Sequence, residues 1–463
     1  MKSKLIYRAL IESGIEGIID QKEALSIYAS DQSEVLAHLP DLAVCPSNVE
    51  ALSQIMKICH EHQFPVTVRG AGTGLCGGAI PVYGGLVIDM KHFNKILKID
   101  TNNLQVITES AVITEHLQKC VAKEGLFYPP NPSSSGSSFI GGNIATNAGG
   151  PKALKYGVVR DYVLNLEVVL ADGSVIWTGA NTLKNSTGYN LTQLITGSEG
   201  TLCIITKAVL KLIPLPRFEK LMLVTFNTSH QATLAINAIF MSGITPSCLE
   251  YMDQTAVRYS IDYGQDSYSE LNTDAEAFLL IELDGNHLQQ LSEECEKIYE
   301  LLENYDIGEV YLAEDQFTKN KFWNLRKRIN PALKNQFISI KKADTVVPRA
   351  SMIMLIDEIY QLASEMRLIV CCYGHAGDGN IHVNVLCAKN SDVQSWEKNA
   401  ALCIEKIFKR VVELEGTISG EHGIAYLQKK HLSLKFDPVS LSVMKKIKAS
   451  FDPLNILNPG KII

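Results

Sequence analysis

The sequence predicts an α+β protein of two principal domains, and three observations carry the prediction. At 463 residues the chain is longer than one ordinary hydrophobic core organises. Short apolar strands separated by dense glycine loops fill the stretch up to about residue 214. From Lys220 to about Glu415, strands alternate with helical periods, the pattern of an α+β domain. In chain order, strands are expected at 65–69 and 86–89, where Val, Ile and Leu cluster between turn residues, and again at 221–226 and 277–282. The last helix is marked by Cys403/Ile404, Ile407/Phe408, Val411 and Leu414 at helical spacing, with Gly416 as its stop. The expected division is therefore 1–214, 215–415, and a C-terminal segment 416–463 that carries Glu421 and His422, returns to the first domain and ends in FDPLNILNPGKII.

Composition excludes several classes. A hydrophobic share of 46%, a charged share of 20% and a formal net charge of -7 describe a folded protein with no electrostatic reason to bind nucleic acid. The eleven cysteines are scattered, with no C-x-x-C, which argues against iron-sulfur clusters, zinc knuckles and a disulfide framework and favours a reducing compartment. The N-terminal MKSKLIYRALIESGIEG has no apolar signal core, and no run reaches the roughly 18 to 20 apolar residues of a membrane span. A cytoplasmic protein is expected, with peripheral docking on the inner face of a membrane left open.

Three glycine loops stand in the first zone. VRGAGTGLCGGAIP contains G-x-G-x-x-G at Gly72, Gly74 and Gly77, but a Rossmann site needs a helix to open inside that motif. Here Gly78, Pro81, Gly84 and Gly85 follow, and the next element is a strand. The glycines suit instead a backbone concavity for an anion, with Arg69 adding charge, although a plain connector would read alike. NPSSSGSSFIGGNIATNAGGPKALKYG and LITGSEGTLCIIT repeat the idea, and three such loops together suit a wrapped, extended cofactor.

The second chemical centre is GHAGDGNIHVNVLC, residues 374–387. Strand alternation puts Ile381, Val383 and Val385 on one face and His382 and Asn384 on the other. An Asp378-Gly379 turn folds His375 back toward His382. Two imidazoles do not complete a metal site, and the third donor is sought at GTISGEHGI, where Glu421 and His422 sit on a glycine-flanked turn. Adjacent side chains there are expected to diverge, one ligating while the other faces a substrate. WNLRKRINPALKNQFISIKKADTVVP supplies cations to oppose a carboxylate, though part of Arg326, Lys327 and Arg328 is a solvated helix face.

Taken together, RGAGTGLCGGAIP, FIGGNIATNAGG, GSEGTLCIIT, GHAGDGNIHV, SGEHGI and FDPLNILNPGKII resemble the vanillyl-alcohol oxidase/PCMH superfamily, in the branch that holds its glycolate oxidases and D-lactate dehydrogenases. The resemblance implies a PCMH-type FAD-binding domain of two α/β subdomains and an α+β cap domain with a largely antiparallel sheet. It implies dissociable FAD, because no histidine stands between Arg69 and Gly85 to link the flavin. Arg69, Gly70, Ala71, Gly72, Thr73, Gly77 and Gly78 would face the pyrophosphate. Pro132, Ser133, Gly141, Gly142, Asn143, Asn147, Gly149, Gly197, Glu199, Gly200, Ile204, Ile205 and Asn458 would line the rest of the cofactor. His375, His382 and Glu421 would ligate a divalent cation, zinc or manganese, with His422 the catalytic base. Imidazole is the side chain whose ordinary pKa lies nearest neutrality, which suits that role. Arg326 would clamp the substrate carboxylate bidentately, with Lys342 and Asn384 beside it.

The sequence departs from the family pattern at Cys76, Cys203 and Asn330, where serine, glycine and threonine are common. Asn330 tilts the expectation toward a short 2-hydroxy acid, D-lactate or glycolate, over D-2-hydroxyglutarate. Lys461 in NPGK is expected to be solvated by default, with reach into the active site as the alternative. The implied electron acceptor is open among quinone, cytochrome, electron-transfer flavoprotein and partner oxidase subunits. Rival readings are a non-oxidative flavoenzyme of the same superfamily, a flavin-free metallohydrolase on the same His/His/Glu set, and a scaffold component of a larger oxidase.

Overall fold

The structure, a computed structural model, describes residues 2–33, 36–264 and 268–463. The chain divides into two compact units. The first comprises residues 1–150, 157–215 and 421–463, and the second residues 151–156 and 216–420. The short hook 151–156 carries no marker in the sequence, and the last segment of the first unit begins at Glu421, where a segment from 416 was expected.

The first unit holds two main sheets. In the smaller, Leu86–Asp89 lies between Leu42–Val44 and Val66–Arg69, all parallel. Its strands are largely buried, with Leu, Ala, Val and Ile predominating and Thr67, Arg69 and Asp89 as the polar positions. Helices Lys2–Glu12 and Val49–Glu61 supply Ile6, Leu10, Leu52, Ile55 and Met56 to its core. Asn48 caps the second of these helices by accepting the Ala51 N–H at 2.8 Å. The larger sheet is five-stranded and antiparallel around Ile204–Lys211, which pairs with Gln105–Glu109 on one side and Val163–Val169 on the other. The element after the first glycine loop is a strand, not a helix, as a non-Rossmann reading requires.

The second unit is one seven-stranded antiparallel sheet with helices. Its central strands are Ala277–Gly285, Cys248–Asp253 and Ile369–Gly374, followed by Asn380–Cys387 and the edge strand Ser339–Val346. Helices Gln254–Tyr263, Gln316–Lys327 and Ile329–Gln336 bring Val257, Leu325, Ile329 and Leu333 into a core with Phe278, Leu280 and Tyr373. The helix Val393–Glu413 is followed by Glu415, which turns left-handed at φ 62°. Gly416 follows because a Cβ there would stand 2.2 Å from the Val346 carbonyl oxygen.

The hook 151–156 is fixed by charge. Lys152 reaches Glu282 at 2.5 Å, while Lys155 and Tyr156 both reach Asp284 Oδ1, at 2.6 and 2.7 Å. Both carboxylates are buried, and the hook's cations, with Ser247 and Trp323 donating to Glu282, make that burial tolerable.

Candidate functional site

In the first unit the three glycine loops and the tail converge on one another. Gly70 packs under Phe139, at 3.6 Å from a notional Cβ, and Gly141 lies so close to Ser110 that a Cβ would meet its side chain at 2.6 Å. Gly197 donates its N–H to the Ile144 carbonyl at 2.9 Å and Glu199 to Ala145 at 2.8 Å, which seats the third loop on the second. Asn458 closes the ring by donating to the Glu199 carbonyl at 2.8 Å and to the Gly78 carbonyl at 3.3 Å. Arg69, Gly70, Ala71, Gly72 and Thr73 are all partly exposed at the end of a buried strand. Nothing stands within 4 Å of a Cβ built on Gly142. A rim of backbone with open space at Gly142 is what an extended, flat ligand requires, so these residues fit FAD.

Individual positions differ from a simple lining. The second loop is not loop throughout, since Ile140–Thr146 forms a short helix that ends where Asn147 turns left-handed at φ 52°. Asn143 directs its side chain inward, donating to Thr114 Oγ1 at 2.6 Å, and Asn147 accepts the Arg160 N–H at 2.9 Å. The Arg69 guanidinium donates to the Ser30 carbonyl at 2.8 Å and lies beneath Gly72, whose φ of 73° and missing Cβ make room for it. Ile204 is part of the hydrophobic core, and Ile205 is buried as well. Pro132 is buried, Ser133 exposed, and Gly149 lies against Glu421, where a Cβ would stand 2.8 Å from Oε2.

In the second unit, residues from four strands and a helix close a circuit. His375 follows the strand Ile369–Gly374 and precedes Gly379, which turns at φ 74°. The turn returns the chain so that the His375 and His382 rings stand edge to face, 5.3 Å between centroids. His375 Nδ1 lies 2.6 Å from Glu250 Oε1, and Glu250 Oε2 accepts the Arg326 Nε–H at 2.8 Å. The Arg326 guanidinium stacks on Tyr373 at 4.6 Å, and Tyr373 meets the edge of His382 at 5.5 Å. His382 Nδ1 is 3.3 Å from Oδ1 of Asp344, its cross-strand partner. Desolvation alone would push the Glu250 carboxyl up, but His375 and Arg326 outweigh it and hold the group below its ordinary value.

Period-2 alternation explains the rest. Lys342 and Asp344 stand opposite Asn384 and His382 in register, so the four share one face of the sheet. Lys342 donates to Asn330 Oδ1 at 2.8 Å, and Asn384, nearly inaccessible, donates to the Cys371 carbonyl at 3.3 Å. Glu250 and Asp344 escaped the sequence reading. A carboxylate in a strand has no local signature, and only the cross-strand partner of His382 was there to be found by pairing.

Glu421 and His422 open the last segment of the first unit. They directly follow Gly420, whose N–H is held by Asp344 Oδ2 at 2.9 Å. Their side chains do not diverge as expected but approach, with His422 Nε2 3.8 Å from Glu421 Oε1. Gly423, at φ 83°, tightens the turn immediately beyond. Lys461, expected in solvent, is 1% exposed.

His375 Nδ1 is bonded to Glu250, which leaves its Nε2 for a cation, the arrangement that fixes tautomer and ring orientation around protein-bound metals, whereas His382 Nδ1 is within ion-pair reach of Asp344 without a hydrogen bond to it. Residues 215–462 match the family described as FAD linked oxidases, C-terminal domain, and residues 40–179 match the FAD binding domain. The chain is 38% identical to glycolate oxidase subunit GlcD of Bacillus subtilis over 463 residues, which is 100% of this chain and 97% of that one. It is 35% identical to a D-lactate dehydrogenase of Anaerostipes hadrus, across 95% of this chain and 91% of that one. p-Cresol methylhydroxylase, solved with substrate bound, shares the fold at a TM-score of 0.80 with 19% identity, covering 100% of this chain and 96% of that one. With the glycine rim, the mixed helix and sheet architecture and full-length similarity in agreement, the chain belongs to the FAD-linked oxidases and is a flavin-dependent oxidoreductase.

Proposed function

We propose that the protein oxidises a short D-2-hydroxy acid, D-lactate or glycolate, to the 2-oxo acid with the aid of a divalent cation held by His375, His382 and Glu421. The observation that carries the reading is the circuit in which Glu250 and Asp344 each face the Nδ1 side of a histidine. Carboxylates so placed are the outer supports of a metal site, and a structural pair of histidines has no need of both. Glu421 lies one peptide bond beyond Gly420, which the same Asp344 anchors, so chain connectivity supports it as the third ligand. Two imidazoles and one carboxylate leave coordination positions open for hydroxyl and carboxylate oxygens. Bound FAD would supply the two-electron oxidant and the cation a Lewis acid.

The chain's own residues do the remainder. Arg326 commits Nε to Glu250, so its Nη groups are the ones that would grip the substrate carboxylate. Lys342 stands two residues from Asp344 on the same face and adds a second positive charge. His422 takes the hydroxyl proton as the C–H bond at Cα breaks and its electron pair leaves toward the oxidant. The names of the two relatives point to the same substrates.

The test is anaerobic titration of FAD-replete protein with D-lactate, glycolate and L-lactate while flavin absorbance is followed. Bleaching by D-lactate or glycolate, with L-lactate inert, is the expected result. A flavin that stays oxidised with both would overturn the reading and favour a non-oxidative flavoenzyme.

A further inference from the structure

Glu199 belongs to the third glycine loop, yet its side chain serves another segment. The residue turns left-handed at φ 51°, and its carboxylate is buried. Oε1 accepts the Ile424 N–H at 2.8 Å, and the Ala425 N–H is a second backbone donor to the same carboxylate. Gly423 has φ 83°, and a Cβ on it would stand 2.8 Å from Glu199 Oε2. Successive N–H groups after a left-handed glycine form a concave anion nest, and here its occupant is the protein's own carboxylate. The nest begins one residue after His422.

A second layer backs this contact. Lys461 donates to the Gly78 carbonyl at 2.7 Å and to Asn458 Oδ1 at 3.0 Å, and Asn458 in turn donates to the Glu199 carbonyl. Cys76 Sγ donates to the Gly423 carbonyl at 3.1 Å, while the Cys76 carbonyl accepts from both Tyr426 and Leu427 at 3.1 Å. Ile462 donates to the Ala425 carbonyl at 2.9 Å. The residues just past His422 are thus tied to the first glycine loop, the third glycine loop and the tail. Burial drives the Glu199 carboxyl up to about 7, against the two backbone donors and Lys461, and drives Lys461 down to about 7. A side chain needed only for packing would be apolar, because a buried carboxylate costs stability unless donors meet it.

We propose that Glu199 is a positioning residue for His422: its carboxylate fills the Gly423–Ala425 nest and, backed by Asn458 and Lys461, fixes the Glu421–His422 turn against the glycine loops of the same unit. The inference rests on His422 being the base, and it deepens that reading by naming what aims it.

The experiment uses the full-length FAD-loaded protein and Glu199→Gln, with Lys461→Met as a second variant that leaves the carboxylate in place. A glutamine offers one oxygen to two N–H donors and sets an amide NH2 against the other. In Glu199→Gln, hydrogen exchange at the amides of residues 423–426 should quicken about tenfold, with a smaller change in Lys461→Met. Flavin reduction at saturating D-lactate or glycolate should slow about tenfold, with half-saturation, FAD content and metal content within twofold of the parent. Exchange at those amides unchanged in both variants would overturn the proposal, as would a rate that recovers fully once lost FAD is restored. Should Glu199→Gln fail to fold, Lys461→Met decides on the same exchange readout. If neither acid reduces the parent flavin, the substrate reading falls, and exchange at residues 423–426 still decides this one.

Discussion

Replacing Glu250 by glutamine is the sharpest probe of the histidine circuit. The carboxylate is fully buried and accepts on both oxygens, from His375 Nδ1 at 2.6 Å and Arg326 Nε at 2.8 Å. A glutamine of the same shape presents one oxygen and one NH2, so either a donor faces a donor or the His375 ring moves its proton to Nε2, the nitrogen a cation would need. Leaving a buried donor unsatisfied costs roughly 1–3 kcal/mol. Removing the charge opposite a buried guanidinium raises the destabilisation toward the roughly 3–5 kcal/mol seen when buried ion pairs are broken. If His375 ligates the proposed cation, metal affinity should fall as well, by the about 10–100-fold typical of changing a group that orients a ligating imidazole. The assay is a competitive titration of demetallated protein with Zn2+ and Mn2+, read beside a urea melt of the same sample. Parent-like affinity and parent-like stability in Glu250→Gln would refute the claim that Glu250 holds His375 and Arg326.

His422→Ala should retain FAD and metal while flavin reduction by D-lactate falls at least ~100-fold, the range of a lost general base; normal reduction would remove the assigned base. Chelation followed by dialysis should suppress reduction without bleaching or releasing FAD, and an undiminished rate in metal-depleted protein would refute Lewis-acid assistance. Gly72→Ala adds a Cβ 2.3 Å from Arg69 Nη2 at a φ of 73°, so it should cost about 1–2 kcal/mol or more and weaken FAD binding. FAD content and melting equal to the parent would contradict it. The Lys461 side chain, its pKa lowered by burial from 10.5 to about 7, gives up its proton in the folded protein at a pH where the unfolded chain still holds one. Unfolding free energy should therefore rise with pH between those values, by up to ~1.4 kcal/mol per unit from this group. Lys461→Met should flatten the rise, and urea melts at pH 7 and 9 with the same difference in both proteins would exclude the effect.

What the sequence disclosed was what depends on local pattern. The alternation around His382, the glycine turn at 379 and the helix ending near Leu414 follow from periods of 2 and 3.6 and from where φ must be positive. The Gly-rich rim was legible as close backbone approach, and the failure of G-x-G-x-x-G to open a helix excluded a Rossmann site from spacing alone. What stayed hidden depends on partners distant in sequence. Glu250 is 125 residues from His375, and no window that short-range pattern uses contains both. Lys461 looked like a solvated C-terminal lysine because burial of its side-chain nitrogen is decided by the first glycine loop, whose Gly78 carbonyl lies 383 residues away in sequence. The hook 151–156 was invisible for the same reason, since Glu282 and Asp284 are what hold it.

The chain passes between its two units four times, and the last passage has a consequence for biosynthesis. As the polypeptide leaves the ribosome, everything the second unit needs has been delivered once Gly420 emerges. The first unit, begun far earlier, still waits for residues 421–463. Those residues complete its parallel sheet through the bridge of Leu457 to Val66 and supply Lys461 and Asn458 behind Gly78. The unit synthesised first is therefore the one finished last. A nascent chain halted at residue 420 should display a protease-resistant second unit beside an unfinished, chaperone-accessible first one.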